Sequence, residues 1–298
     1  MRVLVALGGN AMTGPDGSAA PHHQRAAVEI AVRHVRAIVA DGHQVTLTHG
    51  NGPQVGNLLL KNQLAAHVVP PVPLDWCGAQ TQATVGTLIM NALGPPTATL
   101  VTRTLVDPGD PAFADPVKPI GRYFPQDPRT EGETWRRFAR GWRRVVPSPE
   151  PLEILDADAV SALMAAGFTV VAAGGGGVPV TRLPDGGLNG VEAVVDKDLA
   201  AALLARAVGA EVLLIATDVP DVVIGYGGPD PRPIGRVSVP ELRVLQAAGH
   251  FAEGTMGPKV EAAIRFVSSG GTRAVITSLP EIAAAMHGHV GTQVEKGL

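Results

Sequence analysis

The chain has 298 residues, which is enough for one large α/β domain or two smaller ones with a sizeable core. Its formal net charge of −3 argues against a nucleic-acid-binding surface. It contains no apolar run of the roughly 18–20 residues that cross a bilayer, and no signal-peptide pattern follows Met1. The single cysteine, Cys77, can form neither an internal disulfide nor a cysteine metal cluster, and we expect it to be a buried packing thiol. We therefore expect a soluble cytoplasmic protein that binds neither nucleic acid nor membrane.

The predicted elements are short apolar strands and helices in alternation. Hydrophobic residues make up 45% of the chain but aromatic residues only 4%, which favours a core of Ala, Val and Leu, as in parallel sheets covered by helices. The predicted strands are Arg2–Leu7, Gln44–Thr48, Thr97–Thr102, Phe168–Ala173, Glu211–Ala216 and Arg273–Ser278, with Gly291–Glu295 as an edge strand. The predicted helices are Gln24–Asp41, Asp75–Leu93, Asp156–Ala166, Leu199–Ala210 and Pro258–Ser268. We expect Val178–Arg182 and Val191–Val195 to form a hairpin.

Glycine-rich turns follow the first two strands. Gly8-Gly9-Asn10 ends the first, and His49-Gly50-Asn51-Gly52 ends the second. Such turns bring backbone N–H groups close to a ligand, and a following helix start suits an anion. The glycines of the second turn are spaced G-x-G-x-x-x-G, one residue longer than the dinucleotide fingerprint, so we reject that interpretation. His49 has two interpretations, a catalytic group or a loop-packing residue, and we favour packing.

Residues 107–146 differ in amino-acid composition from the rest of the chain. Prolines are frequent up to Pro128, and the segment from Glu131 to Arg144 carries five arginines with Trp135 and Trp142. We interpret 107–146 as an excursion from the sheet that forms a protruding subdomain or lid. Because acidic residues are interleaved with the arginines, we interpret the segment as a solvated face rather than a nucleic-acid surface.

Four glycines, Gly174–Gly177, follow the strand that ends at Ala173. Each glycine raises the entropic cost of folding, so we expect this backbone, and Gly175 and Gly176 in particular, to lie against a ligand. In α/β sheets the carboxyl ends of parallel strands form the ligand crevice. The strands that end at Gly8, His49, Gly174 and Thr217 would all point there.

Lysine is rare in this chain. Of 24 basic residues five are lysines, leaving 19 arginines; the lysines are Lys61, Lys118, Lys197, Lys259 and Lys296. Lys197, between Asp196 and Asp198, and Lys259, after Pro258, both lie at predicted helix starts, where the helix dipole disfavours a cation. Asp196 or Asp198 can cap the first of these helices. Dense anionic charge, such as a polyphosphate, would reconcile both lysines with their positions.

Phosphoryl transfer fits these features, because it requires positive charge and positioning more than covalent chemistry. The chain has no G-x-x-x-x-G-K-[ST] loop, no G-x-S-x-G elbow and no H-E-x-x-H pair. An anionic acceptor such as a carboxylate would need no general base. This suits a site without a convincing catalytic histidine.

The motifs resemble those of the carbamate kinases, in the amino acid kinase superfamily. The resemblance covers nearly the whole chain, and its most specific segments are THGNGPQVGN at 48–57, the Lys118-Pro119-Ile120-Gly121 excursion, GVEAVVDKDLAAALL at 190–204 and GPKVEAAIRFV at 257–267. Gln80-Thr81-Gln82-Ala83 departs from the usual family pattern. The resemblance implies an open αβα sandwich with a mostly parallel central sheet and a small protruding subdomain, in one domain over 1–298. It also implies a homodimer.

The resemblance further implies reversible phosphoryl transfer between ATP and carbamate, giving ADP and carbamoyl phosphate, with Mg²⁺ and no protein-held metal. Residues 1–170 would form the acceptor side and 171–298 the nucleotide side. Lys197 and Lys259 would neutralise the transferring group, Asp198 would orient both, and Lys118 would reach the carbamoyl end from the protruding subdomain. The remaining predicted contacts are Gly8, Gly9, Asn10, Gly50, Asn51, Gly175 and Gly176 for the phosphoryl and carbamoyl groups, and Thr217, Asp218, Tyr226, Met256 and Gly257 for the nucleotide.

Two alternatives stay open from the sequence. One is a kinase of the same fold that acts on another small acid or phosphate, and the other is a nucleotide-binding sensor without catalysis. The physiological direction is also open, although the greater reactivity of an acyl phosphate favours ATP formation, in arginine or purine catabolism.

Overall fold

The computed structural model describes residues 1–14, 20–128, 132–251 and 255–297, apart from the side chain of Asn10. The helices are α1 (Pro21–Ala40), α2 (Gly52–Ala65), α3 (Leu74–Leu93), α4 (Ala157–Ala165), α5 (Lys197–Ala207), α6 (Val239–Ala247), α7 (Met256–Ser268) and α8 (Ile282–Ala285). The strands are β1 (Arg2–Leu7), β2 (Gln44–His49), β3 (Thr97–Thr99), β4 (Arg103–Leu105), β5 (Lys118–Phe124), β6 (Thr134–Phe138), β7 (Gly141–Val146), β8 (Glu153–Ile154), β9 (Thr169–Val171), β10 (Val178–Arg182), β11 (Leu188–Gly190), β12 (Val212–Thr217), β13 (Val222–Ile224), β14 (Arg232–Ile234), β15 (Arg236–Ser238), β16 (Arg273–Ser278) and β17 (Thr292–Glu295).

The main sheet has the strand order β15-β17-β16-β12-β1-β2-β9-β3. The pairs from β3 through β16 are all parallel, and β17 is antiparallel to β16. Parallel strands are joined by crossover helices, which place helices on both faces of the sheet. The order places β1 at the centre, between β12 and β2.

Two apolar layers lie on opposite faces of this sheet. Leu4 and Ala6 of β1 pack with α4, α5, α6 and α7, whereas Val3, Val5 and Leu7 pack with α1, α3 and α8. The alternation arises because successive side chains of a strand point to opposite faces. The predicted αβα sandwich with a mostly parallel central sheet is therefore confirmed.

A separate antiparallel sheet, β5-β7-β6, lies within the segment that was predicted as an excursion. We call it the protruding sheet. It rests on α2 where two glycines meet, because a Cβ added to Gly56 would lie 2.8 Å from the Cα of Gly121. At its base, Arg144 of β7 pairs with Glu192 at 3.5 Å, and the same carboxylate accepts a hydrogen bond from Leu74 N at 2.7 Å. The predicted start of the charged run, Glu131, lies outside the described residues.

Several predicted boundaries are wrong, because residues near them form hydrogen bonds with residues that are distant in the sequence. The strand predicted over Thr97–Thr102 ends at Thr99, because Thr102 N and Oγ1 bond to Gln82 Oε1 and the chain turns into another sheet. The second arm of the hairpin is Leu188–Gly190 instead of Val191–Val195, because Val194 N bonds to Pro147 O at the base of the protruding sheet.

The C-terminal region differs from the prediction in two places. The strand β17 is not the edge of the sheet, because β15 pairs with it in parallel. Helix α7 begins at Met256, so Pro258 is its third residue, still within the first turn where the N–H has no partner inside the helix. Among the described residues, no helix is long and apolar enough to cross a membrane.

Candidate active site

The carboxyl ends of four neighbouring parallel strands meet at one edge of the main sheet. The turns that follow β1, β2 and β9 and the end of β12 lie there, as the strand order requires. The turns after β1 and β2 touch, since a Cβ added to Gly50 would lie 2.8 Å from the Cα of Gly9. The same Cβ would lie 3.5 Å from Cδ of Lys197, so the first residue of α5 lies beside both turns.

Asp198 joins the two predicted catalytic lysines. Lys197 Nζ lies 2.5 Å from Asp198 Oδ1, and Lys259 Nζ lies 3.0 Å from Asp198 Oδ2. The side chains are 15%, 14% and 5% exposed for Lys197, Lys259 and Asp198, so the cluster is partly closed to solvent. Because α5 and α7 pack together, Lys259 reaches the carboxylate of a residue that lies 61 positions away in the sequence.

Electrostatics favour the ionised form of Asp198. Burial opposes ionisation, but the charges of Lys197 and Lys259 and their hydrogen bonds outweigh it and lower the pKa of Asp198 to about 2. Asp198 is therefore a carboxylate at neutral pH, and each of its oxygens faces an ammonium group. This arrangement fixes the spacing of the two positive charges.

Lys118 reaches the same cluster from the protruding sheet. Its Nζ lies 2.7 Å from Asp196 Oδ2, while Asp196 Oδ1 accepts hydrogen bonds from Asp198 N at 2.9 Å and Leu199 N at 3.4 Å. The N-cap of α5 is thus Asp196, one of the two candidates predicted from the sequence. The ion pair with Lys118 was not predicted. The sequence shows the nearby N–H groups that Asp196 can cap, but Lys118 is distant in sequence and comes close only in the folded protein.

The four glycines after β9 have structural partners inside the protein. A Cβ at Gly174 would lie 2.3 Å from Nε2 of His49, and one at Gly175 would lie 2.0 Å from Nδ2 of Asn51. A Cβ at Gly176 would lie 2.4 Å from Val195 O. Close packing and positive φ angles therefore explain these glycines without a ligand, contrary to the argument from entropy alone. Ligand contacts of Gly175 and Gly176 stay predictions.

Asn51 is held by the helix segment that departs from the family pattern. Its Nδ2 donates to Thr81 Oγ1 at 2.8 Å, and Thr81 donates to Gly78 O at 2.7 Å. Both side chains are buried. The polar Thr81 thus positions Asn51 beside the glycine turn. Asn10 lies in the short turn Gly9–Met12, and its side chain falls outside the described part of the chain.

Replacing Gly50 by alanine is expected to reduce the free energy of unfolding by about 1–3 kcal/mol and to lower activity, because the methyl group would force apart the two turns beside Lys197. Gly52, the first residue of α2, is the matched control, since a Cβ there meets nothing within 4 Å. Gly52→Ala should be neutral or slightly stabilising. Urea unfolding of both variants measures the difference, and equal effects would contradict the close-contact argument.

His49 is a buried packing residue, as favoured from the sequence. Its side chain is 1% exposed, and Nδ1 lies 3.0 Å from Gly50 O, so Nδ1–H is the donor. Burial lowers the pKa of His49 to about 4 against the effect of the Gly50 hydrogen bond, and the charge of Lys197 lowers it further. The imidazole is therefore neutral at pH 7 and lies behind the glycine turns.

The low pKa of His49 predicts a loss of stability in mild acid. Because the unfolded chain binds the proton at about pH 6.5 and the folded chain only near pH 4, the unfolding free energy should fall by roughly 3 kcal/mol as the pH drops through that window. Urea unfolding at pH 7 and pH 4.5 measures this slope. His49→Gln should flatten it, while the exposed His67→Gln should keep it; an unchanged slope in His49→Gln would contradict the assignment.

The predicted nucleotide residues lie on three separate elements. Thr217 ends β12 next to Gly8, and Met256 and Gly257 open α7, three and two residues before Lys259. Asp218 is exposed and accepts a hydrogen bond from Thr217 Oγ1 at 3.1 Å. Tyr226 is 80% exposed in the loop between β13 and β14. Four of the five thus lie near the lysine cluster or the adjoining strand end, and Tyr226 lies in solvent.

Known proteins share this fold and sequence pattern. A family model described as the amino acid kinase family matches residues 1–278. The chain is 45% identical to a carbamate kinase of Thermococcus kodakarensis, over 98% of each chain. It is 40% identical to a carbamate kinase-like protein, YahI, of Escherichia coli, over 99% of this chain and 98% of the relative. A structure of carbamate kinase from Giardia lamblia bound to AMP-PNP has a TM-score of 0.92 and 41% identity, over 99% of this chain and 98% of that one.

The chain belongs to the amino acid kinase family, whose model covers most of its length. Within that family its nearly full-length similarity places it among the carbamate kinases. The resemblance inferred from the motifs is confirmed.

Proposed function

We propose that this protein catalyses reversible phosphoryl transfer between ATP and carbamate, giving ADP and carbamoyl phosphate. The observation that supports this most directly is the pair of lysines that share Asp198, at 2.5 and 3.0 Å, beside the glycine turns. With Lys118 and Asp196 the cluster holds three ammonium and two carboxylate groups, a net charge of +1. Such a cluster suits a group that carries dense negative charge.

The transfer would proceed by direct displacement. A carbamate oxygen attacks the γ-phosphorus of ATP, the bond from that phosphorus to the bridging oxygen breaks, and ADP leaves with the electron pair. The attacking group is already an anion, so no base has to remove a proton. Lys197 and Lys259 would neutralise the charge on the transferring group, and the N–H group of Gly9 would bind its oxygens. Gly50, whose own N–H donates to Leu7 O at 3.1 Å, would line the site beside Gly9.

Lys118 would bind the carbamoyl end, and the nucleotide would extend from the lysines towards Thr217 and the start of α7. The AMP-PNP in the Giardia lamblia carbamate kinase supports a nucleotide site of this kind here. We further propose that residues 1–170 form the acceptor side, that 171–298 form the nucleotide side, and that 107–146 act as a lid.

Mg²⁺ is proposed to arrive with the nucleotide. Within the described ranges, no group of three or more His, Cys, Asp or Glu side chains could hold a metal ion. Asp196 and Asp198 are each paired with lysine. Since Mg²⁺ commonly binds through substrate phosphates and water with few protein ligands, the donor set fits a nucleotide-held ion, and no residue is assigned to it. Bound Mg²⁺ would neutralise part of the phosphate charge.

The decisive experiment is a coupled assay of ATP formation from ADP and carbamoyl phosphate. Enzyme-dependent ATP formation above the rate of spontaneous carbamoyl phosphate breakdown supports the proposal. Because one 40% identical relative is named only as carbamate kinase-like, acetate, aspartate, glutamate and N-acetylglutamate should be screened with ATP as well. Turnover of one of these without carbamoyl phosphate activity would favour a different acceptor. ADP binding without any transfer would favour a sensor.

Three finer points are also part of the proposal. The reaction is proposed to run towards ATP formation in catabolism, with arginine breakdown as a source of carbamoyl phosphate, because an acyl phosphate is the more reactive donor. The protein is proposed to be a cytoplasmic homodimer, as the family resemblance implies. Sedimentation equilibrium measures the assembly, and a monomer at micromolar concentration would contradict it.

A further inference from the structure

Asp196 has two partners in two different parts of the molecule. Its Oδ1 caps α5, and its Oδ2 accepts from the ammonium group of Lys118 at 2.7 Å. The two side chains are 12% and 28% exposed, so the ion pair is partly shielded from water. One carboxylate therefore links the helix that carries Lys197 and Asp198 to the first residue of the protruding sheet.

The protruding sheet contacts the body at several other described places. Ile120 and Val146 pack in an apolar cluster with Val55, Leu74 and Cys77, Gly121 lies against Gly56, and Arg144 pairs with Glu192. None of these contacts involves the lysine cluster. The ion pair with Asp196 joins the Lys118 ammonium group to the turn that carries Lys197 and Asp198.

We propose that Asp196 is a positioning residue that docks the protruding sheet over the transfer site by holding Lys118; this rests on the proposed kinase function. An isolated carboxylate at this position would repel an incoming phosphoryl group. Paired with Lys118, its charge is balanced, and the ammonium group of Lys118 is held against the first turn of α5, which also carries Lys197. All three lysines are then held by carboxylates at the start of α5: Lys118 by Asp196, and Lys197 and Lys259 by Asp198. Asp196 acts through Lys118 and does not itself contact substrate.

Asparagine at position 196 separates the two roles of the residue. Asn is as good an N-cap as Asp, because its side-chain oxygen still accepts from the first-turn N–H groups. It lacks the charge that holds Lys118. Asp196→Asn should therefore keep the thermal stability of the wild type within a few degrees while releasing Lys118. Asp196→Glu does the converse, since it keeps the charge but caps poorly.

The release of Lys118 is measurable without substrate. Brief acylation with acetic anhydride, followed by mass spectrometry, gives the labelling rate of Lys118 relative to the exposed Lys61 as an internal reference. A lysine engaged by a carboxylate reacts slowly, so Asp196→Asn should raise this ratio several-fold. Asp115→Asn is the matched control, because it removes an exposed ion pair with Arg136 within the same segment. It should leave both the ratio and activity unchanged.

Kinetics provide the second readout. Losing one charge-assisted contact should raise KM for carbamoyl phosphate about tenfold in Asp196→Asn, with kcat changed less than about threefold. If Asp196 acts through Lys118, the double variant Asp196→Asn with Lys118→Ala should be no worse than Lys118→Ala alone. Asp196→Glu should recover most of the lost affinity.

An unchanged labelling ratio in Asp196→Asn would overturn the proposal, as would additive costs in the double variant. The labelling experiment needs no turnover. If wild-type protein forms no ATP, the proposed function fails while the docking contact can still be confirmed. If ATP forms but labelling is unchanged, only the role of Asp196 fails.

Discussion

Replacing Lys197 or Lys259 by alanine is expected to lower kcat for ATP formation by roughly 10²–10³-fold. Each variant removes one of the two ammonium groups that meet on Asp198 beside the glycine turns. The remaining lysine still pairs with Asp198, so the fold should persist and the loss should fall on the chemical step. Steady-state assays with ADP and carbamoyl phosphate measure the effect, and urea unfolding checks the fold.

Lys61→Ala is the matched control for these variants, because Lys61 is an exposed lysine on α2, away from the cluster. It should retain wild-type turnover. The double variant of Lys197 and Lys259 should lose less than the product of the two single losses, since the two lysines act through one shared carboxylate. Single variants with nearly wild-type kcat would reject the proposed electrostatic mechanism.

Replacing Asp198 by alanine should cost about 3–5 kcal/mol of unfolding free energy, together with most of the activity. The variant leaves two ammonium groups side by side, each at most 15% exposed, without the charge that separates them. Asp158 is the matched control. It lies in the first turn of α4, just as Asp198 lies in the first turn of α5, but its side chain is exposed. Asp158→Asn should change stability by less than about 0.5 kcal/mol.

Asp198 also predicts a loss of stability in strong acid. Its pKa is lowered to about 2 in the folded protein, against about 4 in an unfolded chain, so the unfolded state binds the proton first as the pH falls. The stabilisation, about 2 kcal/mol, is fully present above pH 4 and is lost as the pH falls towards 2. Unfolding free energies of wild type and Asp198→Asn should therefore converge below pH 3. A constant difference across that range would contradict the assignment.

The sequence alone predicted the class of fold and most of its elements. Apolar runs such as Arg2–Leu7 and Arg273–Ser278 are strands because both faces of a parallel sheet are covered, so hydrophobicity need not alternate along them. The scarcity of lysine, and the two lysines at helix starts, predicted the centre of the candidate site. Each of these signals depends on residues a few positions apart, so it can be read from the sequence without knowing which distant residues come into contact.

Long-range contacts could not be predicted in the same way. Asp196 was predicted only as a possible helix cap, but it pairs with Lys118, which lies 78 positions away. Asn51 donates a hydrogen bond to Thr81, in the helix segment whose sequence departs from the family pattern. The glycines after β9 predicted a ligand against this backbone, but His49 and Asn51 pack directly against Gly174 and Gly175.

The sequence by itself determined which residues carry the charges and where helices begin, because capping, periodicity and composition act over a few positions. Only the tertiary structure decided how those charges are shared: Asp198 with Lys197 and Lys259, and Asp196 with Lys118. The reason is physical. The packing of α5 on α7, and of the protruding sheet on α2, sets distances between residues that are remote in the chain, and electrostatic energies depend on those distances.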